Sequence, residues 1–285
     1  MPAGSYRFEV GAVTCTVLSD GYFSFPTEWL FPNARPGRVA GALEARGLPQ
    51  TTVLCPYTCL LIQTGRHVVL VDAGGGDAAR TTGALSARLA MEGVRPQDVD
   101  TVVLSHAHPD HIGGAVDPFA RPVFENARHV LGEAEWAFWT ASRTDLGALR
   151  LPPDLKGQMD FAARRCLGAI RFQVEPVEGE VELVPGVRVL PAPGHTPGHL
   201  AVLVSSKGQH LLNIGDAAAH PLHLEEPGWE NGFDLEADCA RKTRAELLHR
   251  AAAEHMRVMA FHFPFPSIGR ISARSVGGWD WTPGW

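Results

Sequence analysis

The sequence predicts an α/β protein in which two β-layers pack against each other and helices cover their outer faces. Short apolar runs typical of strands alternate with segments of helical periodicity along the chain. Several of the runs form hairpin pairs, and these pairs occur on both sides of the helical segments. Because each sheet must bury its second face as well, helices are expected outside the two layers. No repeat, charge block or boundary is visible, so one domain is expected over 1–285.

In the first half of the chain, Gly65 and Arg66 form a plausible hairpin turn, and Gly93 is a typical helix stop. The expected elements there are strands at 14–18, 58–63, 67–71 and 101–104, and helices at about 82–91, 133–140 and 155–167. A proline-rich segment at about 22–56 is expected to be an irregular N-terminal excursion.

In the second half, Pro185-Gly186 and Ser206-Lys207-Gly208 are typical turn sequences between apolar runs. The expected elements are hairpin strands at 181–183 with 187–190 and at 200–204 with 210–214, an amphipathic helix at 237–254 and a short strand at 257–261.

Composition narrows the class of protein. The chain has 285 residues, 45% hydrophobic and 20% charged, which is typical of a globular protein in solution. Its net charge of −6 argues against a nucleic-acid partner, because such proteins normally carry a basic face. The N-terminus resembles no signal peptide and no apolar stretch is of bilayer length, so a cytoplasmic protein without a membrane partner is expected. The five scattered cysteines contain no C-x-x-C pair and are expected to be buried thiols.

A histidine-rich turn follows the apolar run at 101–104. His106 and His108 are two residues apart, so in an extended chain they point to the same side and can share one metal ion. The turn at Pro109 redirects Asp110 and His111 toward a second ion. Imidazole nitrogen suits zinc and similar divalent ions, and carboxylates can bridge.

Three more candidates, His195, Asp216 and His262, each follow an apolar strand-like run. They lie too far apart in sequence for local contact, so only the tertiary structure can bring them to the turn. The full set predicts a two-metal hydrolase.

These residues resemble a known family. The H-x-H-x-D-H string at 106–111, the G-H-T-P-G-H string at 194–199 and the later Asp216 and His262 resemble the motifs of the metallo-β-lactamase superfamily, as does Val71-Asp72-Ala73-Gly74. The resemblance spans about residues 14–271. The strings at 18–21, 132–139 and 260–266 are most similar to the methyl parathion hydrolase branch. The fold implied is a four-layer αββα sandwich of two mixed sheets.

The resemblance also implies roles for the candidates. One metal ion would be held by His106, His108 and His195, a second by Asp110, His111 and His262, and both by Asp216 together with a bridging hydroxide. Two zinc ions are expected, with iron, manganese or cobalt as alternatives. Asp110 is the best-placed proton acceptor beside the nucleophile.

Four further residues are candidates for supporting roles. Asp72 is predicted to hold the outer N–H of a ligating imidazole, with a strand-end cap as the alternative, and His199 to support or pack against the ligands. Trp139 and His220 are candidates for the substrate pocket. The ordinary interpretations are core packing for Trp139 and a solvated loop for His220. The C-terminal Trp279, Trp281 and Trp285 could cover the core or an interface.

The substrates expected are small and ester-like, with lactones and organophosphate triesters as the named candidates. Ala219 stands where quorum-quenching lactonases usually have a Tyr, which weakens the homoserine lactone assignment. The alternatives are a thioester hydrolase similar to glyoxalase II, whose basic C-terminal region is matched here mainly by Arg270 and Arg274, and a di-iron redox enzyme. A catalytically silent binding module is disfavoured because no ligand residue is missing. A homodimer is left open.

Overall fold

The computed structural model describes residues 4–275 and 277–284, so Trp285 lies outside the described residues. These residues form fourteen strands: β1 Ser5–Val10, β2 Val13–Pro26, β3 Thr52–Thr64, β4 His67–Val71, β5 Thr101–Val103, β6 Arg128–Gly132, β7 Val174–Val177, β8 Val181–Val184, β9 Val187–Pro191, β10 Leu200–Ser206, β11 Gln209–Asn213, β12 Arg257–Met259, β13 Ile268–Ala273 and β14 Trp279–Pro283. They also form eight α-helices: α1 Thr27–Leu30, α2 Pro36–Glu44, α3 Leu85–Met91, α4 Pro109–Ile112, α5 Glu133–Thr140, α6 Pro153–Ile170, α7 Leu222–Glu225 and α8 Ala237–Ala253.

The strands form two seven-stranded sheets. The first holds β1 to β7 in chain order, and the second holds β14 to β8 in reverse chain order. In the first sheet β1 to β4 are antiparallel, whereas β4 to β7 are parallel neighbours. In the second sheet only β11 and β12 pair in parallel. Both sheets are therefore mixed, as predicted.

Successive side chains of a strand pack on opposite faces of its sheet. Val69 lies in the apolar core between the sheets, whereas its neighbour Leu70 packs into the outer core with residues of α3, α5 and α6. In the second sheet, Val202 faces the central core and Leu203 the outer core under α8. Because successive strand residues point to opposite faces, a strand buried on both faces is an almost continuous apolar run. The predicted αββα sandwich is confirmed.

The segment at about 22–56 is not irregular, so that prediction is wrong. It contains the end of β2, the helices α1 and α2 and the start of β3. β2 pairs with β3 as far as Pro26, which lies opposite Thr52. Prolines are typical of loops, but Pro36 occupies the first turn of α2, where a missing N–H leaves no hydrogen bond unmade.

Most other predicted elements are present with shifted ends, and α5 has the predicted bounds. The sequence interpretation missed β1, β6, β7, β13 and β14. Pro176 argues against a strand at β7, but β7 is an edge strand and therefore tolerates a proline.

No helix formed by the described residues is both long enough and apolar enough to cross a lipid bilayer. All five cysteines are free thiols, and four of them are buried.

Candidate metal centre

The candidate ligands come from loops that follow strand ends. The strands β4 and β5 run parallel, so Asp72 and the histidine-rich turn leave the first sheet at one edge. The strands β11 and β12 also run parallel, and Asp216 and His262 follow their ends in the second sheet. The packing of the two sheets brings these edges together at one end of the sandwich.

One group of imidazoles, which we call the first cluster, consists of His106, His108 and His195. Its ligand nitrogens all lie within 4.8 Å of one another, and the three side chains are buried. His108 Nδ1 lies 3.1 Å from His195 Nε2. Two imidazole nitrogens that converge in this way can both face one cation, which is the arrangement that the family resemblance implies.

The second cluster consists of Asp110, His111 and His262, whose ligand atoms also lie within 4.8 Å. His262 Nε2 is 3.3 Å from Asp110 Oδ2, and His111 Nε2 is 3.8 Å from the same oxygen. Asp110 and His111 lie on α4, which begins at Pro109. The proline turn therefore redirects these two side chains as expected.

Asp216 lies between the two clusters. Its Oδ2 is 3.4 Å from His195 Nε2 in the first cluster and 3.2 Å from His262 Nε2 in the second. Its Oδ1 is 3.5 Å from His111 Nε2. This is the position that a carboxylate shared by two ions requires.

Polar partners orient the rings from outside. Asp72 Oδ2 lies 3.0 Å from His111 Nδ1, and the same carboxylate accepts hydrogen bonds from the backbone N–H and the hydroxyl of Ser105. His262 Nδ1 lies 3.0 Å from the carbonyl oxygen of Pro56. A ring that donates from Nδ1 keeps its Nε2 lone pair available for a cation. Asp72 thus contacts the outer ring nitrogen of a candidate ligand, and its role as the support of a bound ligand stays a prediction.

His195 has a comparable partner in Asp234, which the sequence interpretation missed. Asp234 Oδ1 lies 2.8 Å from His195 Nδ1, and both side chains are buried. Asp234 lies in an ordinary polar stretch, 39 residues after its partner, and no local signal identifies it.

His199 is not one of the ligands. Its Nδ1 lies 3.1 Å from the carbonyl oxygen of Ala192, and its Nε2 accepts the backbone N–H of Asp216 at 3.1 Å. Both ring nitrogens are therefore engaged, and His199 holds the Asp216 turn as a supporting residue.

The charges of the site are strongly coupled. Burial lowers the pKa of His106 and His108 well below the usual value, and neighbouring imidazoles lower it further, so both rings are neutral. Burial also lowers the pKa of His111, but Asp216, Asp72 and Asp110 raise it more, to about 10. A cation at the second cluster must therefore displace a proton, so its affinity should rise with pH.

The residues present fit a pair of divalent ions. His106 Nε2, His111 Nε2 and Asp216 Oδ1 are buried but have no hydrogen-bond partner among the residues that the structure describes. Burying such atoms without a partner is unfavourable. They belong to the candidate ligand sets, and the imidazole and carboxylate donors suit zinc. Bound cations would satisfy these atoms.

A cavity of about 330 Å³ lies over the clusters. Polar residues of the metal centre, His108, Asp110, Asp216 and His262, line part of it. Its other walls are largely apolar: Phe23, Phe25, Leu30, Cys55, Tyr57, Ala78, Ala79, Thr82, Pro109, Leu155, Gln158, Met159, Ala162, Ala219, Asn231 and Phe233. Many of these come from the segment at 22–56 and from α6, which the sequence interpretation did not connect to the site.

Two predicted pocket residues are corrected. Trp139 is fully buried beneath the site, where its ring packs edge-on against His108 and its N–H donates to Glu135. His220 is buried against Phe31, and its Nδ1 accepts a backbone N–H, so it is neither a solvated loop residue nor part of the cavity lining. The side chains of both residues point into the core.

Replacing Asp234 by Ala is expected to weaken zinc binding at the first cluster by roughly 10–100-fold, the usual effect of removing the acceptor of a ligating histidine. The reason is that His195 loses the group that fixes its ring and tautomer. Competition with a chromophoric chelator would measure the affinity. Asp238→Ala, an exposed carboxylate in the first turn of α8, is the matched control; equal affinities in the two variants would contradict the role of Asp234.

Comparison with known proteins agrees with this geometry. A family model for the metallo-beta-lactamase superfamily matches residues 52–262, well over half of the chain. The protein therefore belongs to the metallo-beta-lactamase superfamily, and the predicted class, a metallo-hydrolase, is confirmed.

Particular relatives are similar over most of the chain. An N-acyl homoserine lactonase from a Bacillus species is 28% identical over 203 residues, which cover 64% of this chain and 71% of the relative. A probable metallo-hydrolase from Mycobacterium tuberculosis is 32% identical over 206 residues, covering 63% and 61%. Among solved structures, AidC, described as a dizinc quorum-quenching lactonase in complex with a product, superposes with a TM-score of 0.93 at 28% identity and covers 99% of this chain and 98% of its own.

The hydrolase AbOPH superposes with a TM-score of 0.89 at 24% identity, covering 100% of this chain and 99% of its own, a likeness that concerns the fold alone. Assignment to the methyl parathion hydrolase branch stays a prediction.

Proposed function

We propose that the protein is a binuclear zinc hydrolase of small, uncharged, largely apolar esters, with lactones as the leading substrate class and organophosphate triesters as the second. The observation that carries this proposal is the apolar cavity bounded on one side by the two clusters. The relatives described as lactonases support the first class.

The charge of the cavity favours neutral substrates. Its described lining residues include no Lys or Arg, and the polar ones outside the metal centre are few. An anionic glutathione thioester would find no cationic side chain there to offset its desolvation. This observation weighs against the alternative of a glyoxalase II-like thioester hydrolase.

The side chains have distinct tasks in this proposal. When bound, the two ions would lower the pKa of a water molecule and polarise the carbonyl or phosphoryl oxygen of the substrate. Asp110 faces the cavity with a 17% exposed side chain and accepts the proton from the nucleophile. The apolar walls, Phe25 and Phe233 among them, exclude water and hold the substrate. For a lactone, water adds to the carbonyl carbon and the ring C–O bond breaks, giving a hydroxy acid.

Removal of metal is the first test. We expect protein treated with a chelator to lose lactone hydrolysis by about 1000-fold or more, because several kcal/mol of transition-state stabilisation leave with the ions. Two equivalents of zinc should restore it. A panel of a lactone, an aryl phosphotriester and a glutathione thioester, each with and without chelator, would rank the substrate classes.

Several outcomes would contradict the proposal. Turnover that survives the chelator would argue against metal catalysis. Preferred cleavage of the thioester would favour the glyoxalase II-like reading. Iron in stoichiometric amount, together with reduction of oxygen, would favour a di-iron redox enzyme. Two bound zinc ions without hydrolysis of any member of the panel would favour a silent binding module.

A further inference from the structure

Glu135 is a buried carboxylate that the proposed reaction does not use. It lies on α5, has no exposed surface and does not line the cavity. Within the part of the chain that the structure describes, it forms no ion pair with Lys or Arg; three N–H groups donate hydrogen bonds to it. Burying a carboxylate is unfavourable unless hydrogen bonds compensate for its lost solvation.

Two of these N–H groups belong to the two loops that supply the first cluster. Glu135 Oε1 accepts the backbone N–H of Ala107 at 3.0 Å, and Ala107 lies between His106 and His108. Glu135 Oε2 accepts the backbone N–H of Gly198 at 3.0 Å, in the loop that carries His195. One carboxylate therefore joins two segments that are 91 residues apart (198 − 107).

Close packing fixes the same junction. A Cβ atom on Gly198 would lie 2.1 Å from the backbone nitrogen of Glu135, and one on Gly132 would lie 2.2 Å from the carbonyl oxygen of Gly198. Only glycine allows this approach of two backbones. One turn further along α5, Trp139 donates its N–H to Glu135 Oε1 at 2.7 Å and packs its ring against His108.

We propose that Glu135 is a positioning residue. It holds His106 and His108 at a fixed distance from His195, and so determines the affinity of the first cluster for its divalent ion. The inference rests on the proposed function, which requires that the clusters bind metal. It concerns only the first cluster, because the hydrogen bonds that Glu135 accepts from the ligand loops come from the segments carrying His106, His108 and His195.

The test uses Glu135→Gln, with Glu133→Gln as the matched control. Glu133 is exposed on the same helix, so its substitution makes the same change in charge and composition. In Glu135→Gln one acceptor becomes an NH₂ donor that faces an N–H donor. We expect one of the two zinc equivalents to bind roughly 10–100-fold more weakly, the range typical of groups that orient metal ligands. The other equivalent and the control should be unchanged.

A second variant, Glu135→Asp, keeps the charge but shortens the side chain by one methylene group, so it cannot reach both loops. We expect it also to weaken one zinc equivalent. Zinc affinity as in the wild type would overturn the positioning role, because it would show that charge alone matters. Comparison of melting temperatures with and without zinc separates the roles further: a purely structural residue would lower both equally, whereas we expect a smaller zinc-induced rise.

The outcomes are distinguishable from those of the proposed function. If the wild-type protein binds no zinc, the proposed function fails, and this inference fails with it. If the wild type binds two zinc ions and Glu135→Gln binds both with unchanged affinity, only the role of Glu135 is overturned. If Glu135→Gln does not fold, Glu135→Asp decides by the same criteria.

Discussion

Replacing Asp216 by Ala is expected to lower the rate of hydrolysis by about 1000-fold or more, because in the proposed mechanism two ions stabilise the transition state and the substitution weakens the binding of both. Its two oxygens lie within 3.5 Å of imidazole nitrogens from both clusters. No other candidate carboxylate in the described structure has that position. Metal analysis after dialysis should find fewer than two zinc ions per chain, and added zinc should not restore full turnover.

Asp154→Ala is a suitable control for Asp216→Ala, since Asp154 is an exposed carboxylate in the first turn of α6. Circular dichroism of both variants would show whether the fold is kept. A variant that lacks Asp216 but binds two zinc ions and hydrolyses lactone within about tenfold of the wild-type rate, a difference of only about 1.4 kcal/mol, would contradict the shared-ligand role.

Replacing Asp110 by Asn is expected to lower kcat by about 100- to 10,000-fold, which is the usual contribution of a general base to the rate. The amide has nearly the same shape as the carboxylate but accepts protons poorly. Both carboxylates line the cavity, but Asp110 is 17% exposed whereas Asp216 is only 5% exposed and lies between the two clusters. We therefore expect the two variants to differ: Asp110→Asn should keep zinc at the first cluster, and Asp216→Ala should lose it.

Measurement of kcat and KM together with zinc content checks this prediction, with Asp154→Asn as the exposed control. A decrease confined to KM would contradict a role in proton transfer. Loss of zinc from both clusters in Asp110→Asn would show that the carboxylate mainly holds the ions together.

Local sequence was sufficient for the elements whose signals are local. The apolar runs at 67–71 and 200–204 correspond to strands, and α5 has the predicted bounds. Local sequence did not predict the structure correctly where tertiary contacts were stronger than the local preference. The prolines of the segment at 22–56 suggested an irregular excursion, but pairing along β2 and β3 makes it a wall of the cavity. The sequences of β1 and β13 did not predict strands, but both segments are strands because each pairs with a neighbouring strand.

The metal centre divides in the same way. The seven candidate ligands were visible because imidazoles and carboxylates at strand ends are a chemical pattern in the sequence. Their supporting groups were not: Asp234, the carbonyl oxygen of Pro56 and Glu135 act through contacts that span 28 to 206 residues. Trp139 and His220 show the converse: the family resemblance suggested the first for the pocket and the position just after Asp216 suggested the second, but both side chains point elsewhere.

The donor atoms of this protein and their positions after strand ends can be read from its amino-acid sequence, because residue type and hydrophobic periodicity are properties of short stretches of chain. The tertiary structure alone decided which donors converge on one point, which polar groups orient them and what encloses the substrate. Those features depend on the packing of two sheets whose edges meet only after the whole chain has folded, and no local pattern encodes a distance between residues that far apart.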